Sequence, residues 1–262
     1  MFSAAVKASL AAAALFALAA CATAPPPGSD EDQGAALADP AEPTNRAVFD
    51  ANQAVDRAVI KPVAEAYHAL PDELKHGIHN VLTNLGEPTV ALNDVLQGNV
   101  SRASVAVGRF AINTTVGVVG VFDVAGTWGL KHHNADFGQT LGVWGFEPGP
   151  FVELPILGPS DLRDAIGLGI SFVLSPFFLA SGPAALSYAG AGVGASNGVE
   201  LRADNIDTLD SLESTSVDYY ATLRSVYLQR RKALVEEGRT AEATGHGKVN
   251  VILPAQSAPT IP

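Results

Sequence analysis

Ala165 to Val199 is a run of 35 residues without a single charge, and it sets the terms for what this chain can become. Length and apolarity alone would make it a membrane-spanning helix. Pro176, Pro183 and the glycines at 167, 169, 182, 190, 192, 194 and 198 oppose that. Proline removes a helical hydrogen bond, and glycine loses the most backbone freedom on ordering. The pattern therefore predicts two helical segments, broken at Ser175-Pro176 and Ser181-Gly182-Pro183 and followed by a glycine-rich turn.

The N-terminus supplies a second constraint. Lys7 precedes an uncharged Ala/Leu-rich run from Ala8 to Ala20, which has the length of a signal-peptide core and is too short to span a bilayer. Leu18-Ala19-Ala20-Cys21 then has the form of a bacterial lipobox, cut before a cysteine that receives a diacylglycerol and an N-acyl group. Cys21 is the only cysteine, so it has no disulfide partner in the chain. Ala22 follows it instead of the Asp associated with inner-membrane retention, which favours sorting to the outer membrane. Export also argues for a broken Ala165–Val199 segment, since an unbroken apolar helix would lodge in the inner membrane during translocation.

Composition narrows the partners. Formal charge is −11, and removing residues 1–20, whose only charge is Lys7, takes it to −12. Such a chain is not steered to nucleic acid or to anionic lipid by its net charge. Charged residues make up 16% against about 25% in an ordinary soluble domain. Mean hydropathy is +0.20, which points to a body that is partly lipid-facing.

The expected organisation is a signal peptide over 1–20, a lipidated flexible leash over 21–38, a folded domain over 39–237 and a disordered tail over 238–262. Pro25-Pro26-Pro27-Gly28-Ser29 and Asp30-Glu31-Asp32 cannot bury a core. Within the domain, apolar residues fall at helical spacing from Pro43 to Leu70 with a break at Pro62. A helix from Asp72 to Leu85 is expected to stop at Gly86-Glu87-Pro88, another to run from Thr89 to Gln97 and end at Gly98, and a further one to cover Arg102 to Thr115. Glycine and proline recur every few residues from Gly138 to Pro159, which predicts structured loops with room for a short β-hairpin. The last element reads as one helix from Asp210, a cap with Glu213 three residues on, to Leu234. Arg224, Arg230, Arg231 and Lys232 suit its C-terminal dipole. Its aromatic stripe fits a lipid boundary and a packed core equally well. The fold class expected is mainly all-α: interrupted amphipathic helices joined by Gly/Pro-rich loops.

No catalytic constellation stands out. Gly194-Ala195-Ser196-Asn197-Gly198 matches a nucleophile elbow, but a glycine-rich apolar turn precedes it and His246, the one downstream histidine, falls in the tail. His132, His133 and Asp136 are a poor metal set, because adjacent histidines do not point the same way; a solvated loop is expected there. More telling are charges set in apolar surroundings: Arg109, Asp123, Asp136, Arg163 and Asp164. Such groups either pair with one another or line a polar passage.

Many short motifs, in order, carry a resemblance. They are Asp39-Pro40, Glu42, Asn45-Arg46, Phe49, Asn52, Pro62-Val63-Ala64, Asn84-Leu85, Glu87-Pro88, Asn93-Asp94 and Leu96-Gln97-Gly98. Then come Arg109-Phe110, Asn113-Thr114, Phe122-Asp123-Val124-Ala125, Asp136 to Gly142 through Gly138, Gly149-Pro150, Leu154-Pro155, Gly158-Pro159-Ser160, Arg163-Asp164, Leu209 to Leu212, and Tyr227 with Gln229-Arg230. The chain resembles the MlaA/VacJ family of outer-membrane lipoproteins from about Asp39 to Leu234. The resemblance implies a ring-like helical protein in the inner leaflet of the outer membrane that keeps lipid asymmetry by removing mislocalised phospholipid. Its implied partners are phospholipid, a trimeric porin and a soluble periplasmic lipid carrier, with no covalent chemistry and no cofactor beyond the Cys21 lipid. The residues expected to form the lipid passage are Arg109, Asn113, Asp123, Asp136, Arg163 and Asp164. The competing expectation is a non-conducting scaffold that docks porin and carrier. Two departures, Ala51 where the family often has an aromatic and Glu153 in an otherwise apolar stretch, leave local packing open.

Overall fold

A computed structural model describes residues 39–174 and 196–239. The signal peptide, Cys21, the leash, both prolines of the uncharged segment, His246 and the rest of the tail lie outside the described residues. The protein is mainly helical. In chain order come α1 (Glu42–Val55), a π-helical turn (Asp56–Ile60), α2 (Lys61–His68), α3 (Asp72–Leu96), α4 (Val100–Thr115), α5 (Val124–Thr127) and α6 (Phe137–Val143). A hairpin of β1 (Phe151–Leu154) and β2 (Gly158–Asp161) follows, then α7 (Leu162–Leu174), α8 (196–204), α9 (Ile206–Thr215) and α10 (Tyr219–Arg239). The two strands pair antiparallel, with Phe151 opposite Asp161 and Leu154 opposite Gly158, so the hairpin anticipated between Gly138 and Pro159 is present.

Proline is handled differently from the sequence expectation. At Pro62 the backbone does not leave the helix: it widens, and Lys61 N–H bonds the carbonyl of Asp56, five residues back. The wider turn accommodates a residue that has no N–H to donate. At Gly86-Glu87-Pro88 the expected stop is absent and α3 runs straight through. Its packing on α4, the most extensive helix–helix contact among the described residues, overrides the local breaker. The stop at Gly98 is real, since Gly98 has φ +81°, a left-handed conformation that ends the helix.

The last helix also differs from expectation. It is two helices, parted at Ser216 to Asp218, and Asp218 rather than Asp210 caps the second by accepting from Ala221 N–H at 3.0 Å. Asp210 lies inside α9 and receives Lys61 Nζ at 2.7 Å. Because α10 extends to Arg239, Arg224 to Lys232 sit mid-helix rather than at its C-terminal end. Gly238, expected to open the tail, belongs to α10 and is buried, and Asn99 Nδ2 donates to its carbonyl at 2.5 Å. A Cβ there would lie 2.5 Å from Gln97 Oε1, so a larger residue would have to push that side chain aside.

Contacts close the helices into a ring. Thr140 of α6 bonds Asn93 of α3 at 2.7 Å, and Gln139 of α6 donates to Leu234 O of α10. Arg46 of α1 bonds Asp218 at the head of α10, while Tyr67 of α2 reaches Glu200 of α8 at 3.1 Å. Glu200 also lies 3.1 Å from His79 Nδ1, which returns the circuit to α3.

The interior is polar where an ordinary domain is apolar. The largest fully buried side chains are Arg102, Gln139, Glu87, Asn93, Asn113, Thr140, Asp94 and Asp161. Two small apolar clusters, Val90/Ala91/Ala106/Ala135 and Phe49/Phe151/Tyr220, pack beside them. The aromatic stripe of α10 therefore faces the core, Tyr220 meeting Phe49 edge-on at 5.4 Å. Bulky apolar residues sit outside instead, among them Val95, Val100, Val107, Phe122, Trp128, Trp144, Phe146, Ile156 and Leu157. No helix among the described residues is long and apolar enough to cross a membrane.

Candidate functional site

The site begins with the antiparallel α3–α4 pair. Glu87 and Asp94 lie seven residues apart on α3, and Arg102 and Arg109 lie seven apart on α4, so each pair shares a helix face. The antiparallel register sets Glu87 against Arg109 (2.5 Å) and Asp94 against Arg102 (3.3 Å). The extended segment before α6 adds one histidine to each rung: His132 Nδ1 is 3.1 Å from Glu87 Oε1, and His133 Nε2 is 2.7 Å from Asp94 Oδ2. The expectation of a solvated His132-His133 loop is thus overturned. His133 is 3% exposed, because the extended backbone turns the two rings towards different carboxylates. Those separate partners leave the histidines without a common ligand position.

The Arg109 rung opens onto a cavity. Arg109 Nη1 donates to Leu130 O at 2.6 Å, and Nη2 lies 3.1 Å from Asp123 Oδ1. Asp123 caps α5 through Gly126 N–H at 3.0 Å and accepts from Asn113 Nδ2 at 2.9 Å. Burial pushes the Asp123 carboxyl up, but those two donors and Arg109 outweigh it and hold it below the usual carboxylate range. The cavity, about 930 Å³, is lined by α3 (His79, Thr83, Gly86), Arg109, the 123–134 segment and α8 (Asn197, Glu200, Asp204). Leu82 lines it too, and also lines a groove of about 370 Å³ formed by Leu74, Gly77, Ile78, Val81 and Val121. A chamber with charged groups in its walls and an apolar groove therefore meet at one residue.

The six passage candidates divide between two places. Arg109, Asn113 and Asp123 form the rung just described, with Asn113 buried behind the wall and accepting from Ala125 N–H at 2.9 Å. Asp136, Arg163 and Asp164 belong to a separate cluster with Asp161, Tyr227 and Arg231. Arg231 grips Asp136 with two bonds, of 2.7 and 3.0 Å, and also pairs with Asp164. Arg163 binds Asp164 and Asp161, and Tyr227 donates to Asp164 at 2.6 Å. Burial would raise the Asp136 carboxyl, yet Arg231 holds it low. Asp161, pushed by burial and by the neighbouring Asp164, rises to about 6. Asp136 and Asp164 line their own cavity of about 220 Å³. Among the described residues, Arg109 and Asp123 thus line one cavity and Asp136 and Asp164 another.

The remaining motif residues have structural posts. Asn45 and Asn52, two turns apart on α1, use their side-chain amides like an extra strand against β1. Asn45 bonds Phe151 O and Glu153 N–H, and Asn52 bonds Leu154 O and Ile156 N–H at 2.7 Å. Glu153, the departure noted in the sequence, points inward onto Asn52 (2.9 Å), and burial drives its carboxyl up to about 7. Arg46 lies over the Tyr220 ring at 4.5 Å, and Phe49 packs below it. Asn84 donates to Thr114, Gln97 to Thr140, and Pro88 is carried inside α3. Gly138 lies where α7 crosses: a Cβ on Gly167 would sit 2.2 Å from its nitrogen. Gly149 and Gly158 take positive φ at the hairpin ends, Pro150 O accepts from Leu162 N–H, and Pro159 pairs opposite Glu153.

The profile of the MlaA lipoprotein family matches residues 37–234, most of the described structure. The chain belongs to the MlaA lipoprotein family. An Escherichia coli K12 relative named intermembrane phospholipid transport system lipoprotein MlaA is 33% identical over 205 residues, covering 76% of this chain and 79% of the relative. A Haemophilus influenzae protein of the same name is 30% identical over 223 residues, covering 82% and 86%. An uncharacterized Rickettsia bellii protein is 35% identical over 201 residues, 76% and 77% of the two chains. A solved structure described as the structural basis for maintenance of bacterial outer membrane lipid asymmetry matches with a TM-score of 0.66 at 34% identity. It covers 76% of this chain and 99% of that one. Glu87, Asp94, Arg102 and Asp161 are the site residues that composition and periodicity did not single out, while His133 stands out there only as a poor metal ligand and Arg231 only as a helix-end charge. The seven-residue spacing of two acids and two arginines on adjacent helices was the available signal.

Proposed function

We propose that this MlaA-family lipoprotein works in intermembrane phospholipid transport, maintaining outer-membrane lipid asymmetry as a passive amphipathic conduit. The single observation that carries this is a 930 Å³ cavity with charged groups in its walls that shares Leu82 with an apolar groove. A phospholipid has the same division: a headgroup that needs polar walls and acyl chains that need apolar ones. With the headgroup in the cavity and an acyl chain along Leu74, Ile78 and Val81, leaflet exchange avoids dragging a charge through hydrocarbon. The exposed valines, Trp128, Trp144 and Phe146 support partial embedding of the body, and tryptophan suits a headgroup boundary. The lipid on Cys21 then serves as address and tether, from the periplasmic side of the outer membrane. A trimeric porin as neighbour and a soluble periplasmic carrier as acceptor complete the proposal, with directionality set by the carrier.

Gly86 gives a clean test. It lines the cavity, and a Cβ built there meets nothing within 4 Å, so a bulky side chain fills the chamber without disturbing α3. Gly86→Trp is expected to leave protein level, lipidation and outer-membrane location unchanged while phospholipid accumulates in the outer leaflet. Undisturbed asymmetry in that variant would sink the conduit and leave a scaffold that docks porin and carrier.

A further inference from the structure

The charges around the cavity are largely spoken for, and the exceptions form a pattern. Arg109 is paired with Glu87 and Asp123. Glu200 is shared by Tyr67 and His79, and His132 faces Glu87. Two lining charges remain that make no hydrogen bond or ion pair among the described residues: Lys131, on the segment after α5, and Asp204, at the end of α8. Both are exposed, and they project from different walls. Among the charged groups that line the cavity, Arg109 and Lys131 face Asp123, Glu200 and Asp204. The chamber is thus close to neutral overall, with one open cation and one open anion.

We propose that this cavity selects zwitterionic headgroups, with the phosphate at Lys131 and the ammonium group at Asp204; the proposal rests on the conduit described above. A headgroup with a phosphate alone would leave Asp204 unanswered and meet a chamber whose fixed carboxylates outnumber its guanidinium and ammonium groups. The net charge of −11 on the whole chain adds to that bias. A phosphoethanolamine headgroup carries one group for each open charge and adds no net charge. Because each contact is solvent-accessible, the discrimination is modest, on the scale of a half-screened ion pair.

The test uses the full lipidated chain in detergent micelles doped with equal amounts of phosphoethanolamine and phosphoglycerol lipids bearing the same acyl chains. Co-purifying lipid is extracted and counted per protein. The wild type is expected to retain the phosphoethanolamine lipid by about two- to fivefold over the phosphoglycerol lipid, the range of one exposed ion pair. Asp204→Asn is expected to bring the ratio near one, and Asp204→Lys to invert it, while Lys131→Gln lowers uptake of both lipids. Equal retention by the wild type, or a ratio unmoved by both Asp204 variants, would overturn the selectivity and leave the conduit standing. Retention of neither lipid above the Gly86→Trp background would overturn the conduit and this inference together. Thermal melting of each variant checks that these surface changes leave the fold intact.

Discussion

The two halves of the ring are held together by opposite means. Between α3 and α4 the contact is built from buried charges, two carboxylate–arginine–histidine rungs with alanines packed between them. Between α1, the hairpin and α10 it is built from aromatic rings in edge-on contact, framed by asparagine amides that clamp a strand. Desolvating a charge pair costs roughly what its attraction returns, so the first arrangement adds little net stability but heavily penalises any shifted register. Burying aromatics stabilises without fixing register so tightly, and there the directional amide bonds provide the alignment. Of the two rungs, the one built on Arg109 and His132 faces the cavity.

That contrast can be broken most severely at Arg102. Arg102→Leu leaves Asp94 buried and uncompensated beside His133, and is expected to cost about 3–5 kcal/mol in chemical unfolding. Phe49→Ala on the aromatic side is expected to cost slightly less, about 3–4 kcal/mol, as a cavity between Tyr219, Tyr220 and Phe151. If Phe49→Ala proves clearly the worse of the two, the division of labour between the halves is wrong.

Acid and base separate the halves further. Glu153 on the aromatic side holds its proton up to about pH 7, whereas an exposed glutamate releases it near 4.5. The folded state therefore binds the extra proton between those values, so this residue's contribution is full at low pH and is lost as pH rises from about 4.5 to about 7. The loss amounts to roughly 3 kcal/mol. Comparing unfolding of the wild type and Glu153→Gln across that window isolates it, and identical slopes would show that Glu153 titrates normally. Asn45→Ala removes both amide bonds to β1 and is expected to cost about 1–3 kcal/mol. Smallest of all, Arg57→Ala breaks an exposed pair with Glu213 and is expected to change stability by under about 0.5 kcal/mol.

Local chemistry was legible in the sequence wherever a residue's neighbours in the chain decide its conformation. Gly98 ends α3, and the Gly/Pro texture of 138–159 accommodates a hairpin. It failed where a distant partner overrides the local preference. Pro88 does not stop α3 because α4 packs along it, and the π-helical turn absorbs Pro62. Asp218, not Asp210, caps α10 because Arg46, Lys61 and Arg202 recruit the two aspartates to different tasks. The six passage candidates fall into two clusters, and that division depends on which helices meet.

The uncharged Ala165–Val199 segment shows the same boundary. Its composition alone argues against a single spanning helix, since proline and glycine act on the residue beside them. Likewise the ordered series of short motifs carried the resemblance to the MlaA family. Which acid faces which arginine, that the large side chains of the interior are polar, and that a chamber with charged groups in its walls meets an apolar groove at Leu82 were decided by the tertiary structure. Pairing across helices depends on the antiparallel register and on how the ring closes, and neither is encoded within the span of a few residues.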